Sequence, residues 1–184
     1  MIIMIIARQK RKENIAEYIL YMWQLEDLFR AYNFQMDKIN REIVSEYKVS
    51  AGEKVEIGNW YAELIESMRA EKVLEQGHLQ ILDSLVDDLN DFHFRMIESP
   101  FHSDYQELYQ DAVHNISDFR LKMKIREKIA DMEVCLTVLY GYMLMKMKKR
   151  PVSDDTIEAI ETIRRMIALL ASKHKAFEEG SIEL

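Results

Sequence analysis

The sequence predicts an all-α fold, an irregular bundle of six or seven helices with one long central helix or helix pair. The 184 residues include only 5 Gly and 2 Pro, far fewer than a fold of many short strands and tight turns requires. Apolar residues recur at spacings of three and four along most of the chain, which is the period of a helix with one buried face. Both observations favour long helices over strands.

Length and composition indicate one globular domain. Hydrophobic residues make up 48% of the chain and charged residues 31%, which is the balance of a packed protein. We expect a single domain over residues 1–184, in which residues 1–13 form a frayed extension. Cys135 is the only cysteine, so no intrachain disulfide can form, and we expect it to be an inert core thiol.

Neither export nor membrane insertion is indicated. The apolar run Met1–Ala7 is shorter than a signal peptide requires, and basic residues follow it instead of preceding it. The longest uncharged stretch, Val134–Met145, is well short of the roughly 20 residues that span a bilayer. We therefore expect a cytoplasmic protein that does not bind membranes.

Apolar stripes at helical spacing mark the first two helices. The first stripe is Ile15, Tyr18, Met22, Leu25, Phe29 and Tyr32, and the second is Met36, Ile39, Ile43 and Tyr47. The sequence Asn33-Phe34 interrupts the pattern between them. Two antiparallel helices are therefore expected in this part of the chain.

The segment from Glu53 to Glu98 is predicted to form one very long helix, or two helices with a break at Gly77. Either interpretation gives the same buried face, with positions four and three apart. Its members are Ile57, Tyr61, Leu64, Met68, Glu71, Glu75, His78, Leu82, Leu85, Leu89, Phe92 and Met96. Three ionisable residues thus interrupt an otherwise apolar row.

Three further helices are expected after Pro100, since a proline ends the preceding helix. The uncharged stretch Val134–Met145 predicts that the second of them is the most enclosed helix of the bundle. Pro151 followed by Ser153 marks the start of the last helix, with Ser153 as its N-cap. His93 and His102 lie on either side of Pro100, where we expect exposed positions.

Glu71, Glu75 and His78 are the strongest candidates for a metal site. Spacings of four and three place all three on one face of a continuous helix, and Glu75-x-x-His78 has the spacing of half a carboxylate-bridged di-metal site. A simpler interpretation is a group of buried polar contacts around Gly77 that binds no cofactor.

A second triplet repeats this spacing in a later helix. Glu107, Asp111 and His114 lie off the apolar stripe of that helix, so a solvated polar face accounts for them equally well. A metal site would require Asp111 and His114 to converge with the first triplet, together with Glu17 or Glu26. Such a ligand set suits Fe, Mn or Zn, and the sequence does not distinguish among them.

Two aromatic residues of the first helix lie away from its apolar stripe. Tyr21 and Trp23 give this helix a second apolar face, and a helix that is apolar on two faces has two packing partners. The second partner is either another helix of the same chain or a separate subunit. The Tyr21 and Trp23 face is therefore our candidate for self-association or for binding a protein partner.

Two basic runs, Arg8–Lys12 and Lys146–Arg150, are candidates for a contact with RNA or a membrane surface. Solubilising charge is the simpler explanation, and the net charge of −7 argues against a strong site for a polyanion. We expect no nucleic-acid partner. Phosphate-binding glycine loops, dinucleotide fingerprints, nucleophile elbows and paired CxxC motifs are absent from the sequence.

The run Glu13–Leu28 resembles the start of an uncharacterised Bacteroidetes domain-of-unknown-function family. Further similar stretches are Met68–Glu71, Gly77–Ile81, Cys135–Tyr140 and Leu169–Lys175. The resemblance covers essentially the whole chain. It implies an all-helical bacterial cytosolic protein of about this length, and it supplies no activity, substrate or catalytic residue.

The function therefore cannot be determined from the sequence, and two hypotheses of different classes stay open. The leading one is a non-enzymatic helical interaction or scaffold protein that associates with itself through Tyr21 and Trp23. The alternative is a metal-binding helical protein or metalloenzyme centred on Glu71, Glu75 and His78. No catalytic signature favours the enzyme.

Overall fold

A computed structural model describes residue 7, residues 10–123 and residues 129–183 of the chain. Besides the helical residues 10–13, these residues form seven α-helices and one short 3-10 helix, and no strand occurs among them. The helices are α1 (Ile15–Ala31), α2 (Met36–Glu42), α3 (Ala51–Ala70), α4 (Gln80–Glu98), α5 (Ser103–Lys122), α6 (Asp131–Met147) and α7 (Asp154–Glu178), and the 3-10 helix is Val44–Glu46. The all-α prediction is confirmed.

The chain packs as two compact units. The first comprises residues 1–13 and 17–84, and the second comprises residues 14–16 and 85–184. The prediction of a single domain stays a prediction, because packing alone does not say whether the two units unfold together. The proposed frayed extension lies largely outside the described residues, although residues 10–13 are helical.

The first unit is built from α1, α2 and α3. A capping box starts α3, because the Ser50 hydroxyl accepts from the backbone of Glu53 while the Glu53 carboxylate accepts from the backbone of Ser50. Gly58 permits a close approach to α2, since a Cβ at this position would lie 2.8 Å from Oδ1 of Asn40. The buried side chains of this core include Ile19, Phe29, Ile39, Ile57, Tyr61, Ile65 and Met68.

The long middle segment is two helices, as one of the two interpretations predicted. The break is longer than Gly77 alone, because α3 ends at Ala70 and α4 begins at Gln80. Lys72 and Gly77 both adopt positive φ angles, 61° and 82°, which an α-helix cannot accommodate.

In the second unit α5 packs against α6 and α7, and α6 also packs against α7. The predicted N-cap Ser153 is confirmed, because its side chain accepts from the backbone N–H of Thr156. The buried side chains include Leu89, Met96, Tyr105, Ala112, Ile116, Met132, Cys135, Ile163 and Met166. None of the helices in the described part of the chain is long and apolar enough to cross a membrane.

The prediction for α6 is only half right. Its first half is enclosed, with Met132, Val134, Cys135, Leu136 and Val138 all buried. Residues 139–144 are only partly buried, and Met145 is exposed. The uncharged stretch therefore runs out of the core and onto the surface of the second unit.

Candidate functional site

The first predicted metal triplet does not lie on one helix. Glu71 follows the end of α3, while Glu75 and His78 belong to the connection between α3 and α4. The carboxylate of Glu71 accepts from the backbone N–H of Gln80 at 2.6 Å and so caps the start of α4. Glu75 is exposed. The spacing argument was wrong here, because it assumed a continuous helix through residues 71–78.

His78 is hydrogen-bonded to Glu26, one of the two carboxylates of the first helix that the metal hypothesis named. Its Nδ1–H donates to Oε2 of Glu26 at 2.5 Å, and the backbone N–H of Leu79 donates to Oε1 of the same residue at 2.8 Å. The imidazole stacks on the indole of Trp23, with the ring centroids 4.3 Å apart. Glu26 itself is buried. Glu26, His78, Leu79 and Trp23 thus form a group of polar and aromatic contacts near Gly77.

Arg30 holds the same connection from a second point on α1. Its Nη2 donates to the carbonyl oxygens of Val73 and Gly77, at 3.0 and 2.5 Å, and its Nη1 pairs with Asp27 at 3.0 Å. Glu26 and Arg30 of α1 thus satisfy backbone groups of the connection between α3 and α4. The connection between α3 and α4 is therefore held in place by contacts with α1.

The second predicted triplet lies on the exposed side of α5. Glu107, Asp111 and His114 are all exposed, and the imidazole of His114 lies 3.7 Å from the carboxylate of Asp118. Among the residues that the structure describes, no group of three or more His, Cys, Asp or Glu side chains is placed to hold one metal ion. The binding of Fe, Mn or Zn stays a prediction without this geometric support.

Tyr21 and Trp23 take part in the packing of the first unit itself. Trp23 is only 3% exposed and stacks on His78. The hydroxyl of Tyr21 is hydrogen-bonded to that of Tyr61, which lies 3.0 Å from the Tyr47 hydroxyl. The second apolar face of the first helix is therefore used largely within the chain, and Trp23 does not lie on a free surface.

The sequence did not identify a buried polar network in the second unit. His93 and His102 were expected to be exposed, and both are buried. Nδ1 of His93 is hydrogen-bonded to the Tyr105 hydroxyl at 2.5 Å, which joins α4 to α5. Its Nε2 lies 3.9 Å from a carboxylate oxygen of Asp131, and no hydrogen-bond partner for it occurs in the described residues.

Asp131 connects this network to two other side chains. Arg120 donates to Oδ1 of Asp131 at 2.5 Å, and the Tyr109 hydroxyl donates to Oδ2 at 3.4 Å. Burial lowers the pKa of His93 from 6.5 to about 4, against the opposing effect of Asp131. Burial also raises the pKa of the nearby Cys135 thiol, which agrees with the inert core thiol expected from the sequence. His93 is thus a neutral histidine at neutral pH.

An apolar groove lies in the second unit where the ends of α5 and α6 meet the start of α7. Its volume is about 170 Å³. The lining residues are Phe119, Met123, Thr137, Val138, Gly141, Tyr142, Met145, Val152, Thr156 and Ile160. We call this feature the α6–α7 groove. No lining residue carries a formal charge, so the groove suits apolar side chains rather than a polar substrate.

Exposed apolar side chains and charges of both signs lie close in sequence to the lining residues of the α6–α7 groove. Met145 is 43% exposed, Met147 is 64% exposed and Ile157 is 39% exposed. The exposed basic residues at the end of α6 are Lys146, Lys148, Lys149 and Arg150, and the exposed acidic residues at the start of α7 are Asp154, Asp155 and Glu158. An apolar centre with a charged rim is the composition of a protein interface.

Gly141 occupies the wall of the groove in the interior of α6. A Cβ at this position would meet no atom outside the local helix backbone within 4 Å among the described residues, so their packing does not require glycine. A glycine in a helix interior costs about 1 kcal/mol relative to alanine. Close approach of a second molecule to the helix backbone is one reason for a glycine at such a position.

Comparison with known proteins identifies a family but no activity. The chain matches the family described as a domain of unknown function, DUF4924, over residues 4–181. No curated protein and no solved structure matches it. Because the match extends over nearly the whole sequence, the chain belongs to the DUF4924 family of proteins of unknown function.

Proposed function

We propose that this protein is a helical interaction protein that acts by self-association, and that a second copy of the chain binds at the α6–α7 groove. The observation that carries the proposal is the exposure of Met145 in the uncharged α6–α7 groove, with Ile157 exposed next to the lining residue Thr156. The proposal also includes a cytoplasmic location and an origin in the Bacteroidetes, both of which rest on the resemblance seen in the sequence.

The C-terminal half of α6 supports association with another helix. An uncharged, partly exposed helical segment gains free energy when a partner removes it from water, at about 25 cal/mol per Å² of apolar surface. Gly141 would let that partner approach the backbone of α6 closely. We place the association surface on α6 and not on the Tyr21 and Trp23 face, because Trp23 is buried.

A second copy is the occupant favoured by the composition of the groove and its rim. The C-terminal half of α6 is partly exposed and apolar. The same segment of a second copy would therefore pack well in the apolar groove. Its rim carries both basic and acidic residues, so a second copy offers charges of either sign in return. A partner with a single sign of charge would be repelled by one part of this rim.

Met145→Glu tests the proposal, because it places a charge at the groove without disturbing a buried side chain. In sedimentation equilibrium, we expect the apparent mass of the wild-type protein to exceed that of one chain and to increase with protein concentration. The variant should associate at least about tenfold more weakly, since an interface buries the new charge unpaired.

Val55→Glu is the matched control, because Val55 is an exposed apolar residue of the first unit, 64% exposed. This variant should associate as the wild type does. Wild-type protein that keeps the mass of one chain at every concentration would contradict the proposal. So would association that Met145→Glu leaves unchanged.

Gly141→Ala should change stability and association in opposite directions. Alanine raises the helix propensity of α6, and its Cβ clashes with none of the residues that the structure describes. The free energy of unfolding should therefore increase by about 0.5–1 kcal/mol at a concentration where the chain is monomeric. The added methyl group should weaken self-association. Urea unfolding and sedimentation measure the two effects.

Gly52→Ala provides the comparison for this variant. Gly52 is exposed in the first turn of α3, and a Cβ there also meets nothing within 4 Å. Its replacement should leave association unchanged. A Gly141→Ala protein that associates as strongly as the wild type would show that no partner approaches α6 at this residue.

A further inference from the structure

We infer, on the basis of the proposed self-association, that two copies pair about a two-fold axis near the 148–153 connection, so that the basic rim of each copy faces the acidic rim of the other. The basic rim is the run Lys146, Lys148, Lys149 and Arg150 at the end of α6, and the acidic rim is Asp154, Asp155 and Glu158 at the start of α7. The partner is thus identified as the same surface of a second chain.

The two rims lie close together in the chain. α6 ends at Met147 and α7 begins at Asp154, so both rims lie beside the short connection that joins these helices. Met145 lies just before the basic rim, and Thr156 lies within the acidic rim, and both line the α6–α7 groove. Opposite charges therefore flank the same end of one apolar surface.

This charge pattern permits a two-fold symmetric pairing. In a two-fold interface the same patch serves both subunits, so each contact between unlike residues occurs twice. Placing basic rim against acidic rim makes both copies of the contact attractive. Placing each rim against its own equivalent would bring like charges together, which is unfavourable within the Debye length of about 8 Å at physiological salt.

The exposed apolar side chains lie next to the two rims in the sequence. Met145 and Met147 precede or lie within the basic rim, and Ile157 lies within the acidic rim. A two-fold axis near the connection would bring Met145 and Ile157 of one copy against those of the other. The interface would then have an apolar centre and a polar rim, as protein interfaces commonly do. Such a contact closes on itself and forms a dimer instead of a filament.

Charge reversal tests this arrangement in the full-length chain. The acidic variant carries Lys146→Glu, Lys148→Glu, Lys149→Glu and Arg150→Glu, and the basic variant carries Asp154→Lys, Asp155→Lys and Glu158→Lys. Each variant alone has rims of one sign, so each should associate about tenfold more weakly than wild type at low salt. An equimolar mixture should form heterodimers at least as strongly as the wild type forms homodimers, because every rim then faces an opposite charge.

A control variant carries Glu63→Lys and Glu66→Lys, which reverse two exposed charges on α3 in the first unit. Its association should equal that of the wild type, and circular dichroism should show native helix content in all the variants. Sedimentation of the separate and mixed proteins, each with a distinct fluorophore on its N-terminus, measures the heterodimer directly.

The possible results distinguish the two-fold pairing from self-association itself. Weakened homodimers with recovery in the mixture would establish the two-fold pairing. Wild-type dimers whose strength neither reversal alters, or a mixture that does not recover, would overturn the pairing while self-association stands. Wild-type protein that is monomeric throughout would overturn both.

Discussion

Glu26→Ala is expected to lower the free energy of unfolding by about 3 kcal/mol, because it removes the acceptor that holds the connection between α3 and α4. The backbone N–H of Leu79 and the Nδ1–H of His78 both donate to this carboxylate. Leu79 is buried, so water does not readily replace the lost acceptor. The loss should appear as a lower urea midpoint in circular dichroism.

Two further variants separate the hydrogen bonds of Glu26 from its charge. Glu26→Gln keeps an oxygen for the N–H of Leu79 and should recover part of the lost stability. Glu17→Ala removes an exposed carboxylate of the same helix that pairs with Lys10 at 2.8 Å, and it should cost less than about 0.5 kcal/mol. Equal losses for Glu26→Ala and Glu17→Ala would contradict the structural role of Glu26.

Lowering the pH from 6.5 to 4 is expected to destabilise the wild-type protein by roughly 3 kcal/mol more than a His93→Gln variant. In the folded chain the pKa of His93 is lowered to about 4 by burial, with Asp131 opposing the shift. In the unfolded chain the imidazole takes up a proton near pH 6.5. Between these values the unfolded state binds a proton that the folded state does not, so acid favours unfolding.

The groups around His93 belong to each element packed against it. They are Tyr105 and Tyr109 on α5, Asp131 and Cys135 on α6, and Arg120 near the end of α5. Glutamine cannot take up the proton and still offers a hydrogen bond to the Tyr105 hydroxyl. The stability difference between wild type and His93→Gln should therefore shrink or reverse as the pH falls.

Urea unfolding at a series of pH values between 4 and 7.5 measures this difference. His114→Gln is the control, because it removes a histidine of the same unit whose side chain is 86% exposed. That variant should keep the acid sensitivity of the wild type. Parallel stability curves for wild type and His93→Gln would show that His93 does not contribute to it.

The helices could be predicted because their apolar periodicity is a local property of the sequence. The stripe from Ile15 to Tyr32 corresponds to α1, and Ser153 caps α7 as expected. The connection between α3 and α4 could not be predicted in the same way. Its ionisable residues continue the helical period by spacing alone, while the contacts that break the helix come from Glu26 and Arg30, far away in the chain.

The contacts of the candidate residues could not be predicted for a related reason. A pattern of residue types predicts that Trp23 and the stretch Val134–Met145 are covered, but it does not show by what or over how much of their length. Trp23 is covered by His78 of its own chain, whereas the end of α6 is left partly exposed. His93 lies four residues after Leu89 and beside Phe92, on the flank of the buried face, and that spacing was the available signal for its burial.

Amide hydrogen exchange of the wild-type protein, measured well below and well above the concentration at which it associates, tests the proposed self-association most directly. We expect exchange in residues 139–147 and 152–160 to slow at the higher concentration, because these segments would lie in the interface. The same segments of Met145→Glu should exchange equally at both concentrations. Slowing confined to other helices, or no slowing anywhere in a chain that stays monomeric, would contradict association through the α6–α7 groove.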